Sequence, residues 1–136
     1  MHIWFTYKRN LLNETSEFSR LDHLLASNLY GALATHPGMR GTCLDDAKCL
    51  AILLETERLS GIASLADNFR GERDGSYRGD ICRAAVLWLH GGFYFDVDVV
   101  SLRDWRDGLG TRTRFATSTP ASGGYLFNAG IAAKPR

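Results

Sequence analysis

RGDICRAAVLWLHGGFYFDVDVVSL, residues 78 to 102, holds a helical pattern, a glycine pair and a strand pattern in immediate succession. Ile81, Ala85, Val86 and Leu89 recur at helical spacing over residues 80 to 90. Asp80 is placed to cap the helix start, and Gly91-Gly92 is placed to stop it. The run FYFDVDVV from Phe93 to Val100 is strand-like in composition and length. Alternation puts Phe93, Phe95, Val97 and Val99 on one face and Tyr94, Asp96, Asp98 and Val100 on the other. Two carboxylates thus point the same way, roughly 6 to 7 Å apart, from a segment otherwise apolar enough to be buried. Burying two unpaired like charges is costly or forces one to protonate. A divalent cation removes the conflict, and hard oxygen ligands suit Mg²⁺ or Mn²⁺, which keep positions for water and substrate phosphate oxygens. The tripeptide alone also fits carboxylates at a strand end that are paired to arginines or cap the next element. An EF-hand is excluded, because the further oxygen ligands and turn glycine do not follow.

Asp80 and Arg83 lie three residues apart, hence on one face of the first turn of the predicted helix. A helix N-terminus attracts anions, and an arginine there adds a fork for phosphate or sugar hydroxyls. The bland alternative is an i, i+3 ion pair worth a few tenths of a kcal/mol. If the helix returns through the Gly91-Gly92 turn, its start and the carboxylate pair line one crevice.

Outward from this stretch the chain alternates strands and helices. Residues 70 to 79 (RGERDGSYRG) read as a loop, rich in charge and glycine. Residues 2 to 7 (HIWFTY) read as a buried strand. A helix is expected from Ser16 to Leu33, capped by Thr15 or Ser16, with Phe18, Leu21, Leu25, Leu29 and Leu33 inward. After an apolar stretch to Leu44, Asp45 or Asp46 caps a second helix with Leu50, Leu53 and Leu54 inward. FATST (115 to 119) and YLFNAGIAA (125 to 133) read as two further strands. The pattern predicts an α/β domain with a mostly parallel central sheet and flanking helices.

The length of 136 residues suits one domain spanning 1 to 136. A composition 45% hydrophobic and 23% charged excludes disordered, collagen-like and disulfide-dense chains. A net charge of +1 provides no global field for nucleic acid or an anionic membrane, although 13 of the 16 basic residues are arginine. Cys43, Cys49 and Cys82, an odd count without a C-x-x-C pair, read as buried thiols. The four histidines show no metal-ligand spacing, and Trp88 and Trp105 read as packing residues. Asn13-Glu14-Thr15 is formally a glycosylation sequon. There is no signal-peptide core and no transmembrane-length apolar run, so the chain is expected to be soluble as written.

Asp80, Arg83, Gly91, Gly92, Tyr94, Asp96 and Asp98 together fit the pattern S-D-x-x-R, apolar helix, G-G-x-Y-x-D-x-D, with Gly79 in place of the usual serine. This segment resembles the DXD-containing sugar-nucleotide glycosyltransferases of the family 32 type, which include eukaryotic mannosyl- and galactosyltransferases and relatives of the large clostridial glucosylating toxins. The resemblance implies a GT-A (Rossmann-like) nucleotide-diphospho-sugar transferase fold. It also implies Mn²⁺ or Mg²⁺ on the diphosphate of a UDP- or GDP-sugar, and transfer of a hexosyl group with retention to a glycan, glycolipid or protein acceptor. Asp96 and Asp98 are then the catalytic, metal-binding pair, and Asp80, Arg83 and Tyr94 bind the donor sugar or nucleotide. Weaker similarities add Phe5, Thr6 and Tyr7 at the end of the first strand, Asp45 at the exit of the second, and Asn128 in an N-A-G stretch. Family members continue beyond that stretch, so a chain short at its C-terminus is expected to lack a further metal ligand and the acceptor wall. A non-catalytic nucleotide-sugar-binding module and, more remotely, a metal-dependent phosphohydrolase are the competing readings. The resemblance leaves the compartment open between the cytoplasm and the Golgi lumen.

Overall fold

The protein is described here from a computed structural model, which covers residues 1 to 13, 17 to 120 and 122 to 136. In chain order the elements are β1 (His2–Thr6), α1 (Arg20–Thr35), β2 (Arg40–Leu44), α2 (Asp46–Ser60), α3 (Leu65–Gly71), α4 (Gly75–His90), β3 (Gly92–Phe95), β4 (Phe115–Ser118) and β5 (Phe127–Ala133). A short 3-10 turn, Trp105–Gly108, lies before β4. The strands form one sheet in the order β2-β1-β3-β5-β4. β2, β1 and β3 run parallel, while β5 is antiparallel to β3 and to β4. The α/β class with a GT-A-like, Rossmann-type layout is therefore present, the sheet being mixed and its parallel part confined to three strands.

The chain steps from β1 outward to β2 through α1, then crosses back past β1 to β3 through α2, α3 and α4. Right-handed crossovers in opposite directions put their helices on opposite faces of the sheet. Alternation along the strands fills both sides. Ile3, Phe5, Phe93 and Phe95 pack with Leu25, Ala26 and Leu29 of α1. Leu44, Tyr94 and Ile131 pack with Leu53, Phe69, Cys82 and Val86 of the other three helices. Each fully buried aromatic or branched side chain contributes about 1.5–3 kcal/mol.

Several expected boundaries shift for local reasons. The caps expected at Thr15 and Ser16, and most of the sequon, lie outside the described residues; α1 instead begins after Ser19. There Ser19 and Asp22 form a capping box, each accepting the other's main-chain N–H. That start turns Leu21 outward and Asp22 inward. Asp45 caps α2 as its type predicts, accepting from Lys48 N at 3.0 Å, but Leu54 is exposed.

The stretch 70 to 79 is mostly helix. α3 ends at Gly71 and α4 starts at Gly75, after Asp74 accepts from Ser76 N at 2.8 Å. Arg78, counted as loop from its charge, pairs with Asp46 at 3.0 Å and lies over the Phe69 ring at 4.4 Å. Asp80 is therefore not the cap, and with Arg83 it lies beyond the first turn. The turn at Gly91-Gly92 does require glycine: both have positive φ, and a Cβ on Gly91 would lie 2.4 Å from Pro135 N.

The cysteine expectation is also corrected. Cys49 of α2 and Cys82 of α4, 33 residues apart, form a disulfide with a Cα–Cα separation of 5.5 Å. Cys43 alone remains a buried thiol, its pKa pushed up by that burial. Closing a loop of this length restricts the unfolded chain, so replacing both cysteines by alanine should lower unfolding stability by about 3–4 kcal/mol. Urea denaturation of the variant beside the oxidised and reduced parent checks this; three coincident midpoints would exclude the crosslink.

Candidate donor-sugar crevice

The sheet order reverses at β1, because β2 lies on one side of it and β3 on the other. In open α/β sheets this reversal opens a crevice at the carboxyl ends of the strands. Thr6 ends β1, and Asp96 follows the last residue of β3. α4 covers the same end, presenting Asp80 and Arg83 toward the two strands.

Arg83 joins these parts. Its side chain is only 9% exposed, and Nη1 donates to Asp96 Oδ1 at 3.2 Å and to the main-chain oxygen of Asn128 at 2.7 Å. Nη2 pairs with Asp80 Oδ1. The guanidinium also lies 4.9 Å from the Tyr94 ring centre, and Nε has no partner among the described residues. Asn128 Nδ2 reaches Asp80 Oδ1 at 3.4 Å, which ties β5 to α4.

Tyr94 forms the second support. Its hydroxyl donates to Asp96 Oδ1 at 2.7 Å, so its one proton is used there and it accepts from Thr6 Oγ1 at 2.8 Å. Burial and then the Asp96 charge push the phenol pKa well above its ordinary value. Asp80, Arg83, Tyr94, Asp96, Asn128 and Thr6 thus form one connected network.

Asp98 is placed differently from the expectation. β3 stops at Phe95, and the chain then turns, with Val99 N donating to Asp96 O at 3.1 Å. Asp96 keeps the Tyr94 face of the sheet. Asp98 does not continue that alternation: it sits in the turn, exposed, with no hydrogen-bond or ion-pair partner among the described residues. The turn is held by Asp96 N donating to Ala129 O at 2.8 Å and by Asn28 Nδ2 donating to Val97 O at 3.0 Å. Asn28 had no signal in the sequence, being one polar residue among several on α1.

Beside the network, a cavity of about 200 Å³ is lined by Thr6, Tyr7, Lys8, Asp46, Arg78 and Gly79, among others. Burial first, then neighbouring Asp22, raises the Tyr7 phenol pKa. A Cβ on Gly79 would lie 3.3 Å from Thr6 Oγ1, so the glycine leaves room at the cavity wall. Phe5 is not there: it is 1% exposed and packed in the core on the α1 side. Asp45 is occupied as a helix cap, and its neighbour Asp46 lines the cavity. Trp105 packs as expected, edge-on to Phe95 and against Gly130, and its main-chain N–H donates to Nε2 of the buried His36 ring at 3.1 Å.

The α/β layout, with a switch-point crevice bounded by a D-x-D turn and an Asp–Arg pair facing it from a helix, is of the GT-A-like class. Residues 45 to 116 match the profile of the family described as "Glycosyltransferase sugar-binding region containing DXD motif". The match covers more than half the chain, which belongs to this family. Neither a curated protein nor a solved structure matches the chain. No helix among the described residues is long and apolar enough to cross a membrane.

Removing Arg83 should leave Asp80 and Asp96 facing one another without their shared cation. Arg83→Met should therefore lose about 3 kcal/mol of stability at neutral pH. Denaturant midpoints of parent and variant at neutral pH test the size; an unchanged midpoint excludes the bridging role.

Proposed function

We propose that the crevice binds a nucleotide-diphospho-sugar, with Asp96 and Asp98 holding a divalent cation, Mn²⁺ or Mg²⁺, on the diphosphate. The reading is carried by the different states of these carboxylates. Asp96 Oδ1 is fixed by Arg83 and Tyr94, its Oδ2 has no hydrogen-bond partner among the described residues, and Asp98 beside it is exposed and unpaired. No three or more His, Cys, Asp or Glu side chains are placed to hold a metal ion together among the described residues. Two carboxylates fit a cation that takes its other oxygens from water and phosphate. When bound, that cation neutralises charge developing on the departing nucleoside diphosphate.

The remaining roles fall to the chain's own groups. Asp80 and Asn128 offer oxygen and amide partners for donor-sugar hydroxyls. Arg83 positions Asp80 and Asp96 and adds positive charge beside the diphosphate. Tyr94 and Thr6 fix the direction of Asp96, and Tyr7 and the space at Gly79 accommodate the nucleoside. The reaction is transfer of a hexosyl group of the mannose, galactose or glucose class, from UDP or GDP, to a glycan, glycolipid or protein. Retention of configuration follows the family 32 type resemblance; no covalent nucleophile is assigned.

Thermal unfolding with UDP- and GDP-sugars, with and without Mn²⁺, tests the reading. A donor at about 100 times its dissociation constant stabilises the native state by about 2.7 kcal/mol. The matching donor should raise the midpoint only with metal, and Asp98→Ala should abolish that rise while keeping the metal-free midpoint. A donor-induced rise of the same size in Asp98→Ala excludes the metal assignment. Stabilisation without sugar transfer or hydrolysis identifies a binding module.

A further inference from the structure

At the opposite end of the strands, where β1 and β2 begin, lies a cavity of about 930 Å³. That volume is at the upper end for ligand pockets. Its lining includes Arg40, Arg106, Arg114 and Lys134 together with His2 and His90, and no Asp or Glu. This is a local imbalance in a chain whose acidic and basic residues nearly cancel.

Arg106 is already committed to Asp104, with Nε at 2.9 Å from both carboxylate oxygens. Arg40 and Arg114 are exposed and have no carboxylate partner among the described residues. Arg114 and Lys134 are also cross-strand neighbours: Phe115 pairs with Ala133, and Lys134 N donates to Arg114 O at 2.9 Å. Like charges placed directly opposite destabilise a strand pair unless something neutralises them. Phe93, Leu109 and Ala132 form apolar walls, and low-dielectric walls concentrate the field of nearby charges. His2, stacked on Trp4 at 3.9 Å, senses that field. Burial first, then the amino terminus, Arg40 and His90, hold its imidazole below the ordinary histidine value.

Arg40 precedes the body of β2 and Arg114 precedes β4, at opposite edges of the five-stranded sheet. Four strand spacings separate them, roughly 19 Å, too far for one phosphate group to span. We propose that this end of the sheet is a second binding site, for an extended polyanion that runs across the strands from Arg40 to the Arg114–Lys134 pair. Its Arg114–Lys134 end adjoins the donor crevice, because both residues also line a cavity of about 600 Å³ with Asp80, Arg83 and Asn128; the proposal does not depend on the donor assignment.

The test is titration calorimetry in EDTA, where metal-dependent donor binding is silent. The probes are pyrophosphate, a polyphosphate long enough to cross the sheet, and a heparin-derived oligosaccharide of similar length. A long probe should bind with steep salt dependence, and pyrophosphate should bind far more weakly. Arg40→Ser/Arg114→Ser should weaken the long probe by roughly tenfold or more per lost contact, while Asp98→Ala leaves it unchanged. Tighter binding of the heparin fragment assigns a sulfated or otherwise anionic glycan, and tighter binding of polyphosphate assigns a phosphate chain. Equal affinity for pyrophosphate and both long probes, absence of binding, or an unaffected double variant overturns the proposal.

Discussion

The crevice depends on one buried guanidinium. Asp80, Asp96 and the main-chain oxygen of Asn128 come from α4, the exit of β3 and β5, and Arg83 contacts all three. Without a cation between them, two carboxylates and a carbonyl on converging elements would repel. Charge-assisted bonds in a poorly solvated position are among the stronger polar contacts a protein makes. Such a pair does not itself guarantee stability, because burying the charges is costly. Its clearer effect is geometric: Asp96 is held from both sides, by Arg83 and by Tyr94, which leaves one of its oxygens to meet a ligand.

Chemistry at this end of the sheet is therefore built from supported side chains. Tyr94 lies in the core with its hydroxyl at the crevice, so its position is fixed by packing and its polar end by Thr6 and Asp96. Asp98 has no such support and sits on a turn. The two aspartates are thus unequal despite their shared motif, one pre-positioned and one free to adapt when charge arrives. The Cys49–Cys82 bridge adds to the rigid side, because Cys82 is flanked by Ile81 and Arg83 on α4. The helix that carries the Asp–Arg pair is anchored covalently to α2.

Much of this was legible in the sequence. The helix, the glycine pair and the D-x-D pattern follow one another at a spacing that brings Asp80, Arg83, Tyr94 and Asp96 to one place, and alternation held from Phe93 through Asp96. It failed at Asp98 because all eight residues of FYFDVDVV favour or tolerate a strand by composition, while the strand's end is set by its partner. β5 pairs with β3 only as far as Phe95 opposite Gly130. The start of α4 was hidden for a related reason. Glycines and charges at 71 to 79 carry a loop signature, and only tertiary partners, Asp46 and Phe69 for Arg78, reveal why the helix extends through them. Nor could spacing pair Cys49 with Cys82, since the pairing requires α2 and α4 to lie side by side.

The sheet also separates charge along its strand direction. Asp80, Asp96 and Asp98 gather where the parallel strands end, while Arg40, Arg114 and Lys134 gather where they begin. A net charge near zero hides this, since the sum is insensitive to position. By charge alone, the carboxylate end suits a cation and the arginine end suits anions. The separation is incomplete at one corner, because Arg114 and Lys134 also line a cavity of about 600 Å³ with Asp80, Arg83 and Asn128. A ligand held by Arg114 and Lys134 would therefore lie next to the Asp–Arg pair, whereas one held by Arg40 would be set apart from it by the width of the sheet.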